Sequence, residues 1–210
     1  MDQSRRTPLR GQCDVSDRDL ARLIDLAIGQ GVTAAASIDA SEVVVREELA
    51  AMCAEPRCES YGLSAGCPPH VAGPGGMREL LASVPRAIVF KLDVPTAVLL
   101  SDERREVFRL LHESAAAIER AAVAMGYGAS RAFVGGSCKV LFCDDEASCA
   151  VISGAGDCRH PDRARPSMSG QGVDVQRLMA SAGWEMRKVT AATKAVEGDT
   201  SPIVGLVLIG

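Results

Sequence analysis

Seven of the eight cysteines in this 210-residue chain fall into two groups, Cys53-x4-Cys58-x8-Cys67-Pro-Pro and Cys138-x4-Cys143-x5-Cys149-x8-Cys158-Arg-His-Pro, with Cys13 apart. Thiols so grouped can form structural disulfides, a redox pair or the ligand set of a metal centre. Eight cysteines in a reducing compartment are poor candidates for structural disulfides, which leaves metal binding or redox chemistry as the leading use. The second group supplies four thiolates within 21 residues, enough for a tetrathiolate site without help. Zinc and iron–sulfur clusters both accept such a set. Structural zinc usually takes paired Cys-x2-Cys knuckles, and the gaps here are four, five and eight. Plant-type ferredoxins use a Cys-x4-Cys step and bacterial ones place Pro after a ligand cysteine, as Pro68 follows Cys67. An iron–sulfur cluster, [4Fe–4S] in kind and one or two in number, is therefore the leading reading, with zinc the alternative.

The surroundings of the thiols suit an anionic cluster. Backbone N–H groups of Gly135, Gly136, Gly154 and Gly156 can approach sulfur closely, and Arg159, Arg163 and Arg165 can offset negative charge as cofactor-binding residues. The first group has only three cysteines, so a cubane there needs a further ligand: Cys13, His70, a cysteine of the second group or a substrate. An open iron position would permit Lewis-acid chemistry or substrate ligation; a filled one would mainly carry electrons. His70 after Pro-Pro is expected to serve the turn, Tyr61 to pack, and His160 to meet a sulfur or solvent. His112 is placed on the charged side of a helix, in water. Gly73 to Gly76 lack the Lys-Ser/Thr of a P-loop and read as a turn. Gly62 and Gly66 allow the path that joins Cys58 to Cys67, and the loop reads as a metal-binding segment rather than a disulfide clip.

These loops need a scaffold, and the apolar pattern supplies one. Ser16 to Ile28 reads as a capped amphipathic helix, and 102–125 as a long helix with apolar residues at three- and four-residue spacing. Glu47 to Met52, Met77 to Ser83 and Val173 to Ala182 read as shorter helices. Strands are expected at 33–38, 42–45, 87–94, from Arg131 into Cys138, at 184–189 and along the terminal "IVGLVLIG". Alternating strands and helices predict an α/β (mixed α+β) fold over residues 1–210 as a single domain, a mixed sheet covered by helices. Two cysteine-rich loops, about 51–76 and 135–170, extend from it.

Composition narrows the function further. The 47% hydrophobic content suffices for one substantial core, and 23 basic against 27 acidic residues give a net charge of −4. Nothing in that balance favours nucleic acid or an anionic membrane, and four Phe, two Tyr and one Trp make no base-stacking platform. No run approaches the roughly 18 apolar residues of a membrane span, so a cytoplasmic protein is expected, with a redox protein or an anaerobic enzyme system as partner.

The segments "MCAEPRCESYGLSAGCPPH", "GGSCKVLFC", "CRHPDRARPSM" and "GVDV" resemble the bacterial and archaeal family of predicted metal-binding proteins called domain of unknown function 2284, over about Ala51 to Gly183. The resemblance implies Cys53, Cys58, Cys67, Cys138, Cys143, Cys149 and Cys158 as metal or iron–sulfur ligands and implies no particular reaction. The chain departs from the family pattern in the wider spacing that opens the second group and in Ser169 where an acidic residue is usual.

Overall fold

The computed structural model describes residues 14–186, 196 and 198–210. Its strands are β1 (Ala34–Asp39), β2 (Arg86–Pro95), β3 (Arg131–Val134) and β4 (Thr200–Ile209), and its α-helices are α1 (Asp17–Gly29), α2 (Glu47–Ala51), α3 (Gly73–Ser83), α4 (Thr96–Leu99), α5 (Arg104–Ala124), α6 (Cys138–Phe142), α7 (Ala150–Ser153) and α8 (Val175–Ser181). The fold is mixed α+β, as expected. The strands pair in the order β1-β2-β4-β3, and every pairing is antiparallel rather than mixed. Since β2 and β3 both oppose β4, they run in the same direction. The 21-residue α5 returns the chain between them as a crossover, and the terminal strand fills the gap. A local reading sees strand, helix and strand and cannot see the insertion.

The two central strands are buried on both faces, which explains their nearly continuous apolar runs. Ile88, Phe90, Leu92 and Val94 of β2 and Val207 and Ile209 of β4 join the core under α1 and α5. Ala87, Val89, Val204, Leu206 and Leu208 face the other core, with Met77 of α3 and Leu178 and Met179 of α8. Alternate side chains point to opposite sides, so one pair of strands serves both cores. Gly205 interrupts the run because its register partner Phe90 lays its ring over it; a Cβ there would stand 2.1 Å from Phe90 Cζ.

The helix boundaries follow local chemistry. Ser16 caps α1 by accepting the Asp19 N–H at 3.1 Å, and Asp174 caps α8 by accepting the Arg177 N–H at 3.0 Å. The "GPGG" stretch is not a free turn but the first turn of α3, with Pro near its start. The strand expected at 42–45 is replaced by a 3-10 turn (Ala40–Glu42) and an isolated bridge from Val45 to Val173. Trp184 to Met186 lie in no strand, and 187–189 of the strand expected there lie outside the described residues. No helix among the described residues is long and apolar enough to cross a membrane.

Candidate metal centre

Both cysteine groups gather beyond the C-terminal end of β3. Val134 closes that strand by accepting the Met168 N–H at 2.9 Å and donating to Pro166 at 3.0 Å. The segment at 166–168 thereby runs along the strand end, and Ser167 donates its N–H to the Gly66 carbonyl at 2.9 Å. That bond ties the first cysteine loop to the second. A Cβ on Gly66 would stand 3.5 Å from Pro166 Cα and 3.6 Å from Cys138 Sγ, ordinary contact distances. Gly62 adopts a φ of 79° and closes the loop by donating to the Pro68 carbonyl at 2.8 Å.

Cys138, Cys143, Cys149 and Cys158 line one small pocket together with Ser64, Lys139, Phe142, Arg159 and His160. Short helices deliver them: Cys138 opens α6, Cys143 ends it, and Cys149 is the N-cap of α7. Burial pushes the Cys138 thiol up to about 11, with the nearby Ser64 hydroxyl pulling it down and the thiols of Cys67, Cys158 and Cys149 adding to the rise. Burial also raises Cys143, and Cys158 and Cys149 add to it against the pull of Arg159 and Lys139. Cys149 feels the same desolvation, but the backbone N–H groups of Ala65, Ile152 and Val151 at its sulfur outweigh it and bring the thiol below its ordinary value. The His160 N–H lies 3.4 Å from Cys158 Sγ. The N–H donors at sulfur are thus those of Ala65, Val151, Ile152 and His160. Gly154 instead caps α7 with φ 71°, and Gly136 packs under the Phe108 ring.

Cys53, Cys58 and Cys67 line a separate pocket of about 620 Å³, with Tyr61, Ser137 and Met52 among the other walls. Cys67 is buried, Cys58 exposed, and Cys53 lies between. Burial raises the Cys53 thiol, and Cys58 and Cys67 add to the rise. The two groups also meet at Cys67, whose Sγ lies 3.4 Å from Oγ of Ser137, the residue before Cys138. All seven described cysteines are free thiols. His70 is exposed, is not among the residues lining the pocket, and donates its backbone N–H to the Cys67 carbonyl at 3.0 Å. Cys13 lies outside the described residues.

The three arginines divide. Arg159 lines the four-cysteine pocket and is held by Glu146 at 3.2 Å. Arg163 stacks over the Phe142 ring at 5.2 Å and reaches Glu113 at 3.7 Å. Arg165 is structural: its Nε meets Glu119 at 2.6 Å, and its backbone N–H donates to His112 Nδ1 at 3.1 Å. His112 is accordingly not solvated but fully buried, edge-on to Phe142. Sequence reading also missed Ser64, Ser137 and Lys139. The last two flank Cys138 in "SCK", while nothing local marks Ser64.

Among the described residues no three His, Cys, Asp or Glu side chains form a set that could hold a metal ion, so the thiols ring their pockets without converging on one point. Sulfur donors with N–H groups aimed at them still suit a sulfur-rich metal group by their chemistry. Paired thiol-lined pockets at the end of a helix-covered antiparallel sheet define a cysteine-rich α+β protein. The family model "Predicted metal-binding protein (DUF2284)" matches residues 36–209, and the chain belongs to that family. Among curated proteins and among solved structures, nothing matches it.

Proposed function

We propose that this protein is an iron–sulfur protein with two cysteine-ligated centres, one on Cys138, Cys143, Cys149 and Cys158 and one on Cys53, Cys58 and Cys67, serving electron transfer or acting as an accessory redox factor to a partner enzyme. The observation that carries this reading is the single small pocket lined by four thiols, with backbone N–H groups turned toward Cys149 and Cys158. Bound there, a [4Fe–4S] group would supply one-electron chemistry. The chain's own residues set the conditions for it. The N–H groups of Ala65, Val151 and Ile152 favour the thiolate form of Cys149, Arg159 and Lys139 place positive charge beside Cys143, and Phe142 and Ala150 keep one side dry.

The test is anaerobic purification or reconstitution followed by iron, zinc and acid-labile sulfide analysis of wild type, Cys158→Ser and Cys67→Ser. Iron and sulfide in similar amounts, each partly lost in either variant, is the expected result. Zinc without sulfide would replace the redox reading with a zinc-stabilised binding domain. Unchanged iron in Cys67→Ser would remove the first group from the ligands.

A further inference from the structure

The three thiols of the first group are not equivalent. Cys67 is buried, and its sulfur is engaged by the Ser137 hydroxyl. Cys58 is exposed and Cys53 partly so, and both line the wall of the same pocket. A small disulfide can therefore reach Cys58 from solvent. Which thiol answers next is decided by the turn that joins Cys53 to Cys58.

That turn holds the two residues together through the backbone. Cys58 donates its N–H to the Cys53 carbonyl at 3.0 Å, while Cys53 and Ala54 are tied back to the Ala50 and Ala51 carbonyls of α2 at 3.1 Å and 2.9 Å. With standard backbone lengths on either side of the 3.0 Å bond, the two Cα atoms stand no more than about 6.9 Å apart. Cysteines separated by more than about 7 Å cannot be bridged without backbone movement. This pair lies inside that limit, and a bridge between side chains that already line one pocket needs their rotation rather than the unfolding of the turn. Cys67 has no such tie to Cys58: its N–H goes to the Ser64 carbonyl at 3.0 Å.

From this geometry we infer that Cys53 and Cys58 form a dithiol that exchanges with small-molecule disulfides and closes to an internal disulfide. The Cys58 thiolate attacks one sulfur of the incoming disulfide and expels the other half, leaving a mixed disulfide. Cys53 then attacks the Cys58 sulfur and expels the second half. The two protein thiols lose two electrons, the incoming disulfide gains them, and the protons of Cys53 and Cys58 end on the two released thiols. The inference rests on no metal at these residues. It does bear on the first centre, because the closed form withdraws two of the thiols assigned to it.

The test uses full-length Cys67→Ser, in which the first group cannot form a three-thiol centre and the second group is intact. The protein is isolated anaerobically and equilibrated with glutathione and glutathione disulfide, and each thiol is read by acid quenching, alkylation and peptide mass spectrometry. The expected product is a link between Cys53 and Cys58 that outweighs mixed disulfides by about tenfold at about 0.1 mM glutathione, because a tethered thiol acts at millimolar effective concentration or above. Cys67→Ala should behave in the same way, and adding Cys53→Ser should stop the reaction at a mixed disulfide on Cys58. In wild type the same link should form, passing over Cys67, with loss of part of the iron. Glutathione held on both cysteines without a link, no reaction at Cys58 in Cys67→Ser, or a link from Cys58 to Cys67 in wild type overturns the inference. A link between Cys53 and Cys58 in wild type with iron unchanged overturns the ligand reading of the first group and leaves the dithiol in place.

Discussion

His112 shows how one side chain can join parts of the molecule that are distant in sequence. It projects from α5 into a site closed by Phe142 and by the backbone of Arg165, so water cannot reach it. Nδ1 accepts the Arg165 N–H, which places the ring proton on Nε2, and that atom has no partner at hydrogen-bond geometry. Burial, with the Arg165 charge next, lowers its pKa from 6.5 to about 4, with a weak opposing pull from Gly135. The unfolded chain therefore binds a proton in a range where the folded one does not. Stability from this group is full above pH 6.5 and is lost as pH falls toward 4, amounting to about 2 kcal/mol by pH 5. Wild type should lose that much more stability than His112→Leu between pH 7.5 and pH 5 in urea unfolding, and parallel losses would show that the ring is not buried neutral. Sequence placed His112 in solvent because its helical neighbours are charged. The loop at 160–165 that covers it comes from some 50 residues downstream, and no helical pattern records it.

At the level of elements, what was legible is what local periodicity encodes. The long helix at 104–124, the capped α1 and the two central strands fall where their apolar patterns put them. Sheet direction was not legible, because it depends on the last strand inserting between β2 and β3. One tight contact within this pairing is Phe90 over Gly205. Gly205→Ala would force the ring aside in a fully buried position, costing about 1–3 kcal/mol as overpacking does. Phe90→Leu in the same chain should recover part of that loss, so the double variant should be more stable than the two single losses predict. Strict additivity in denaturant titrations would mean that ring and glycine do not meet. The thiol-bearing segments were legible as two groups because their spacing is local, while Gly66 against Cys138 and the Ser167 to Gly66 bond are long-range products of the strand end.

The whole molecule places the two cysteine groups side by side. Cys67 belongs to the first group and Cys138 to the second, yet Cys67 bonds to Ser137, the residue that precedes Cys138, and Cys67 adds to the rise that burial imposes on the Cys138 thiol. If both groups carry iron–sulfur centres, those centres sit nearly in contact at one end of the sheet, and an electron entering one lies within easy reach of the other. Two paramagnets so close split or broaden each other's signals. The fully reduced protein should therefore give an electron paramagnetic resonance spectrum that differs from the sum of the spectra of Cys67→Ser and Cys158→Ser, each retaining one centre. Ser137→Ala should keep the interaction while altering the potential of the first centre, because it removes the hydroxyl beside Cys67 without moving the backbone. A spectrum equal to the simple sum would mean that the two groups do not hold neighbouring centres, and that this end of the sheet does not work as an electron relay.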